Sequence, residues 1–264
     1  MDPQILGYFG ALTIGIVLGL LGGGGSILTV PILVYLFYLN PVISTAYSLF
    51  VVGVSALIGA IKNIQRRLVD FKTAAVFAIP SFIAVYITRK YIIPIIPNEL
   101  FTVYEILVTK DLAIMLFFGI VMLLASVYML TDKSNNLKEE KGQYNLVLLI
   151  LQGIIVGLIT GVIGAGGGFI IIPSLVLFAK MPMKKAVATS LLIIAVKSLI
   201  GFIGDVENLD IDWAFLLSFT SISIVGILIG VFLSKFIDGV KLKKIFGWFI
   251  FIMAIFILLF ETVL

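Results

Sequence analysis

Residues 19–34 read GLLGGGGSILTVPILV, and residues 161–176 read GVIGAGGGFIIIPSLV, so the two stretches superimpose when the chain slides by 142 positions. The same slide, without a gap, sets 46–61 (AYSLFVVGVSALIGAI) on 188–203 (ATSLLIIAVKSLIGFI). Residues 15–61 against 157–203 give 16 identities in 47 positions. Apolar bias makes some matches by chance. It does not align the glycine cluster, Pro31 with Pro173, Ser48 with Ser190 and Gly59 with Gly201 in one register. The chain is an internal duplication.

The surroundings of the repeat set its solvent. Of 264 residues, 61% are apolar and 12% charged, with mean hydropathy +1.25. Soluble domains carry about 25% charged residues. Ten apolar segments can be marked, near 5–21, 27–39, 42–61, 73–93, 111–130, 146–163, 169–179, 186–204, 213–234 and 245–263. The runs are continuous rather than alternating, which predicts helices and not a barrel. The expected class is an all-α integral membrane protein. The first segment has no basic region before it, so it reads as a retained helix and not a signal peptide. The polar stretch TDKSNNLKEEKGQYN at 131–145 divides two five-segment repeats, 1–130 and 146–264.

Five segments is an odd number, so the second repeat should enter the membrane inverted. Charges test this independently. Lys62, Arg66, Arg67 and Lys72 join segments 3 and 4, whereas Asp205, Glu207, Asp210 and Asp212 join segments 8 and 9. With both termini outside, 14 of the 18 basic residues fall in cytoplasmic loops; Arg89, Lys90 and Lys110 lie outside and Lys197 within a span. The expectation is a multi-pass protein of a bacterial or archaeal cell membrane, built on the inverted-repeat plan of secondary transporters.

Several functions are excluded by what is missing. The pI near 9.2 follows from topology, so the basic residues imply no nucleic-acid partner. Cysteine and histidine are absent, which removes thiolate chemistry, soft-metal sites and histidine relays. No HExxH, nucleophile elbow or mid-span carboxylate is present, so neither an enzyme, a metal site nor a cofactor is expected. The expected partners are the lipid bilayer and a small anionic substrate. The sequence carries no reading of oligomeric state.

The anion expectation comes from the breaks. Gly22, Gly23, Gly24, Gly25 and Ser26, mirrored by Gly164, Gly166, Gly167 and Gly168, interrupt apolar sequence just before segments of 13 and 11 residues. At 1.5 Å per residue these reach about 20 and 17 Å, too short to cross alone. Glycine lets the chain turn and present successive N–H groups, and the helix that follows aims its positive end at the turn. Two inverted copies would aim two such ends at the centre. The glycine pairs Gly15/Gly19, Gly157/Gly161 and Gly226/Gly230 instead read as close helix packing.

Lys197 sits mid-segment, where a charge costs at least ~2.5–3.5 kcal/mol; contact with an anionic ligand or its pathway would explain it. Ser55 holds the equivalent position in the first repeat, and Ser198 lies beside Lys197. Ser48, Thr189 and Ser190 are the hydroxyls assigned to the substrate, with Ser44 and Thr45 read as helix-bonding groups.

The two glycine–proline stretches, ATSLLIIAVKSLIGF followed by an acidic turn and Ile211-Asp212-Trp213, and LSKFIDGVKLKKIFGWFIFIM at 233–253 resemble the sulfite exporter TauE/SafE family over most of the chain. The resemblance implies transport of small sulfur-containing anions, sulfite or sulfonates such as sulfoacetate, usually outward. The competing readings are an anion channel or an import permease with the same site, and a non-transporting membrane scaffold.

Overall fold

The computed structural model of the chain describes residues 3–39, 41–92, 95–97, 99–103, 106–131, 146–163, 168–177, 179–206 and 209–263. The linker at 132–145 and the second break at 164–167 lie outside them, as does the side chain of Ser26.

All ten apolar segments are helical: α1 (Pro3–Leu21), α2 (Gly25–Phe37), α3 (Pro41–Gln65), α4 (Phe71–Ile87), α5 (Lys110–Thr131), α6 (Leu146–Ile163), α7 (Gly168–Leu177), α8 (Met183–Val206), α9 (Trp213–Leu233) and α10 (Gly239–Val263). Among the described residues, stretches of α3, α5, α8, α9 and α10 are long and apolar enough to cross a bilayer. The sequence did not announce the segment between α4 and α5. There a π-helical turn, Thr88–Ile92, leads into an antiparallel hairpin of β1 (Glu99–Val103) and β2 (Ile106–Thr109). Such a hairpin pairs its own backbone groups, which suits a connection outside the hydrocarbon.

Local geometry recurs at the 142-residue offset. Asp70 caps α4 by accepting from Thr73 N at 3.0 Å, and Asp212 caps α9 by accepting from Phe215 N at 3.0 Å. Tyr38 and Lys180 both end short helices with positive φ, 55° and 46°. Leu39 N then donates to Leu33 O at 3.2 Å, as Met181 N does to Leu175 O at 3.1 Å. Each closes the end of its helix with a backbone N–H returned to a carbonyl of the last turn.

The main helix pairs each join an element before the linker to one after it. In α1 and α9, Gly15 abuts the Ser223 carbonyl and Gly19 the Ile227 carbonyl, so these helices run parallel. In α6 and α4, Gly153 abuts Phe77, Gly157 abuts Ser81 and Gly161 abuts Thr88, again in parallel. Gly157 against Ser81 is Gly15 against Ser223 moved by 142 residues in each chain segment. By contrast α3 and α8 are antiparallel, with Gly53 on Leu199, Gly59 on Leu191 and Leu49 on Gly201. So are α5 and α10, with Gly119 on Leu258 and Leu130 on Gly247. The glycine pairs read as packing positions do pack: no side chain fits where the backbones meet.

The core lies around α7, whose Phe169, Ile171, Ile172 and Leu175 are fully buried. A helix of 10 residues reaches about 15 Å and is wrapped by protein rather than lipid. The outside of the bundle is apolar, with Leu124, Val147, Ile155, Phe232, Ile252 and Leu259 exposed. That surface belongs in a bilayer.

Candidate functional site

The first break is a turn and not a linker. Gly22 N donates to Leu18 O at 2.7 Å, Gly22 then takes φ +72°, and α2 starts three residues later. Gly24 stands at its N-cap, so no side chain caps the helix. All four glycines are buried, each against something different. A Cβ on Gly22 would lie 2.8 Å from Ser190 Oγ and 2.9 Å from Val187 O; on Gly24, 2.7 Å from the Phe249 ring; on Gly25, 2.8 Å from Ile14 O.

Gly23 meets Gly168. A Cβ on Gly23 would overlap the Gly168 carbonyl, and one on Gly168 would come within 2.7 Å of Gly23 Cα and of Ile194 Cδ1. Gly168 is the first residue of α7 and Ile194 the twelfth of α8. The start of α7 therefore lies level with the middle of α8 and directly against the break that starts α2. Gly164, Gly166 and Gly167 lie outside the described residues.

Ser190, one turn from Val187, has its Oγ 3.1 Å from Gly22 O and 2.9 Å from Val187 O, so its single proton braces the turn. Ser48 is buried at the equivalent position. Thr189 works elsewhere: its Oγ1 accepts from Asp70 N at 3.1 Å, where α4 begins. The hydroxyl of Tyr47 accepts from Asp212 N at 2.7 Å, where α9 begins. These are one contact repeated, since 47 and 189 differ by 142, as do 70 and 212.

Lys197 lies near the middle of the antiparallel α3–α8 contact. Its Nζ donates to Thr160 Oγ1 on α6 at 2.7 Å, and Thr160 is itself buried. At the equivalent position Ser55 donates to Ser223 Oγ on α9 at 3.0 Å. The cation is thus held by a neutral hydroxyl, an acceptor absent from the sequence reading. Thr160 precedes the second break by four residues.

Beside Ser198, already singled out next to Lys197, two nearby polar side chains were missed, Ser81 and Gln152. Ser198 Oγ, Ser81 Oγ and both amide atoms of Gln152 are buried with no hydrogen-bond partner. A buried polar group without a partner costs about 1–3 kcal/mol, so each calls for an occupant that satisfies it. Ser198 adjoins Lys197 in α8. Ser81, on α4, has its carbonyl against Gly157, one turn from Thr160. Gln152 is two turns earlier on α6. Two signals in the sequence mark them: Gln152 is the lone amide in LVLLILQGIIVG, and Ser81 is the 142-residue counterpart of Ser223. The arrangement sets a cation and buried, unsatisfied polar groups along α4, α6 and α8.

A family model described as sulfite exporter TauE/SafE matches residues 8–257. A probable membrane transporter protein of Xylella fastidiosa (strain Temecula1) is 28% identical over 251 residues, covering 93% of this chain and 91% of the relative. One from Methanocaldococcus jannaschii is 29% identical over 202 residues, 73% and 70% of the two chains. Probable membrane transporter protein YunE of Bacillus subtilis is 27% identical over 231 residues, 78% and 80%. No solved structure matches the chain.

Proposed function

The chain belongs to the sulfite exporter TauE/SafE family, and from that premise we propose that it exports a small sulfur-containing anion, sulfite or an organosulfonate such as sulfoacetate. It does so by alternating access of two inverted repeats, 1–130 and 146–264, with both termini outside the cell membrane. The observation that carries the reading is the meeting of Gly23 with Gly168, which brings the starts of α2 and α7 together at mid-height of α8. Helix starts carry partial positive charge and N–H groups without intrahelical partners, the standard receptor for an oxyanion.

The substrate contacts are Gly22, Gly23, Gly24, Gly25 and Ser26 on one side and Gly164, Gly166, Gly167 and Gly168 on the other. Lys197 supplies the full charge, Ser198, Ser81 and Ser48 supply hydroxyls, and Ser190 braces the first turn. The parallel α1–α9 and α4–α6 pairs and the antiparallel α3–α8 and α5–α10 pairs support the inversion, because a half entering upside down reverses each equivalent helix. Direct contact between Gly23 and Gly168 leaves no room for an ion between those two residues, which favours a carrier that opens by rocking over an open channel. An anion leaving a negative interior gains ~2.3 kcal/mol per charge per 100 mV, so export needs no coupling ion.

Flux from proteoliposomes loaded in turn with sulfite, sulfoacetate, thiosulfate and chloride tests the reading. Saturable movement of one or more sulfur anions is expected. A folded preparation that moves none of them overturns it.

A further inference from the structure

A cavity of about 250 Å³ lies between the α3–α4 loop, the start of α8, and the end of α9 with the first turns of α10. Its wall includes Asn63, Arg66, Lys184, Val187, Ser234 and Lys235. Three cations, Arg66 and Lys184 half-buried and Lys235 exposed, share this wall, and an anion among them would offset their mutual repulsion. Their protein contacts are neutral: Arg66 Nη1 donates to Val231 O at 2.9 Å, Lys184 Nζ lies 3.5 Å from Lys235 O, and Lys235 Nζ sits 5.4 Å over the Phe232 ring. Among the described residues no carboxylate pairs with any of the three. Burial lowers the pKa of Arg66 from its ordinary value, and a guanidinium so shifted keeps its charge.

The wall residue Val187 ties the cavity to the breaks. Its carbonyl and Cγ1 are the atoms that a Cβ on Gly22 would strike at 2.9 Å, and Ser190 bonds the same carbonyl. One residue therefore separates the basic cavity from the first glycine turn. We propose that the cavity is a second anion site, a vestibule that takes up a small doubly charged oxyanion on the side of the basic loops and delivers it past Val187 to the breaks. The proposal rests on the transport reading above, yet binding here can be measured without flux.

Inorganic sulfate is the probe, because it is doubly charged and chemically inert. Equilibrium binding is measured to the full chain in phosphatidylcholine nanodiscs on a Lys197→Met background, which disables the central site. Sulfate is expected to bind still, more weakly as salt rises, and to lose about tenfold or more in affinity when Lys184→Gln and Lys235→Gln are added. Arg66 is kept because it also bonds Val231. The chain has no cysteine, so Lys235→Cys gives a single thiol whose maleimide labelling sulfate should slow. This second readout stands if the multiple variant does not fold. Loss of all binding with Lys197→Met alone, or labelling indifferent to sulfate, overturns the vestibule. So does sulfate binding abolished by phosphatidylglycerol in the discs, which would assign the same cavity to a lipid phosphate. Failure of flux with intact sulfate binding would instead count against the transport reading.

Discussion

Gly23 and Gly168 touch backbone to backbone, 145 residues apart in sequence, and neither position has room for a methyl group. The repeat does not require this identity: Gly23 has Ala165 as its counterpart, and Gly168 has Ser26. The contact therefore joins one position from each half that differs from its own copy. It also fixes how near the starts of α2 and α7 can come.

Gly23→Ala should separate these helix starts. Overpacking costs typically about 1–3 kcal/mol, and the expected outcome is a lower Tm together with loss of most transport. Gly226→Ala, which crowds the Leu12 carbonyl in the α1–α9 contact, should lower Tm comparably but leave the KM for substrate unchanged. Equal effects of the two on KM would show that the break only packs helices.

Lys197→Met removes a cation from within a span and leaves the Thr160 hydroxyl with its bond to Gly157 O at 3.3 Å. Relieving an intramembrane charge, worth ~2.5–3.5 kcal/mol on insertion scales, should leave stability unchanged or raised while flux falls at least about tenfold. Lys197→Arg should keep part of the flux. A Lys197→Met protein that is more stable and fully active would remove this residue from the pathway.

Thr189→Val and Tyr47→Phe each delete the acceptor for one helix-start N–H, Asp70 in the first case and Asp212 in the second. A hydrogen bond of this kind contributes about 0.5–1.5 kcal/mol. Similar drops in Tm are expected from the two variants, with no change in substrate preference. A shift in preference with Thr189→Val would return this hydroxyl to the substrate.

Inversion predicts opposite sidedness for equivalent loops. In the cysteine-free chain, Lys72→Cys and Asp210→Cys place single thiols at exposed positions in the first turn of α4 and just before α9. A membrane-impermeant maleimide added to intact cells should label Asp210→Cys and spare Lys72→Cys. Labelling of both from one side would refute the inverted arrangement.

The duplicated motif made much of this architecture legible. Sliding by 142 residues located the first break, the glycine pairs Gly15/Gly19 and Gly157/Gly161 and the short helices, because backbone approach and helix termination leave their mark in residue type. Element edges were less visible where polarity obscured the helix. The last segment was read from residue 245, yet α10 begins at Gly239, since Lys241, Lys243 and Lys244 occupy its first turns and Lys243 is buried. The hairpin of β1 and β2 escaped because its strands are 5 and 4 residues long, beside far stronger apolar runs. In the site, Lys197 and the glycines stood out as chemically anomalous in apolar sequence. Ser81, Ser198 and Gln152 did not carry weight, because what distinguishes them is burial without a partner. That property exists only once α4, α6 and α8 are packed.

Counterflow tests the central claim most directly. Proteoliposomes holding unlabelled sulfite are diluted into a trace of labelled sulfite, and internal label is followed in time. A carrier with one alternately exposed site between the glycine breaks should give a transient overshoot in the wild-type chain, absent with Gly23→Ala and with Lys197→Met. Wild-type vesicles that show no overshoot with sulfite, sulfoacetate or thiosulfate, or an overshoot unaltered by both substitutions, would contradict it.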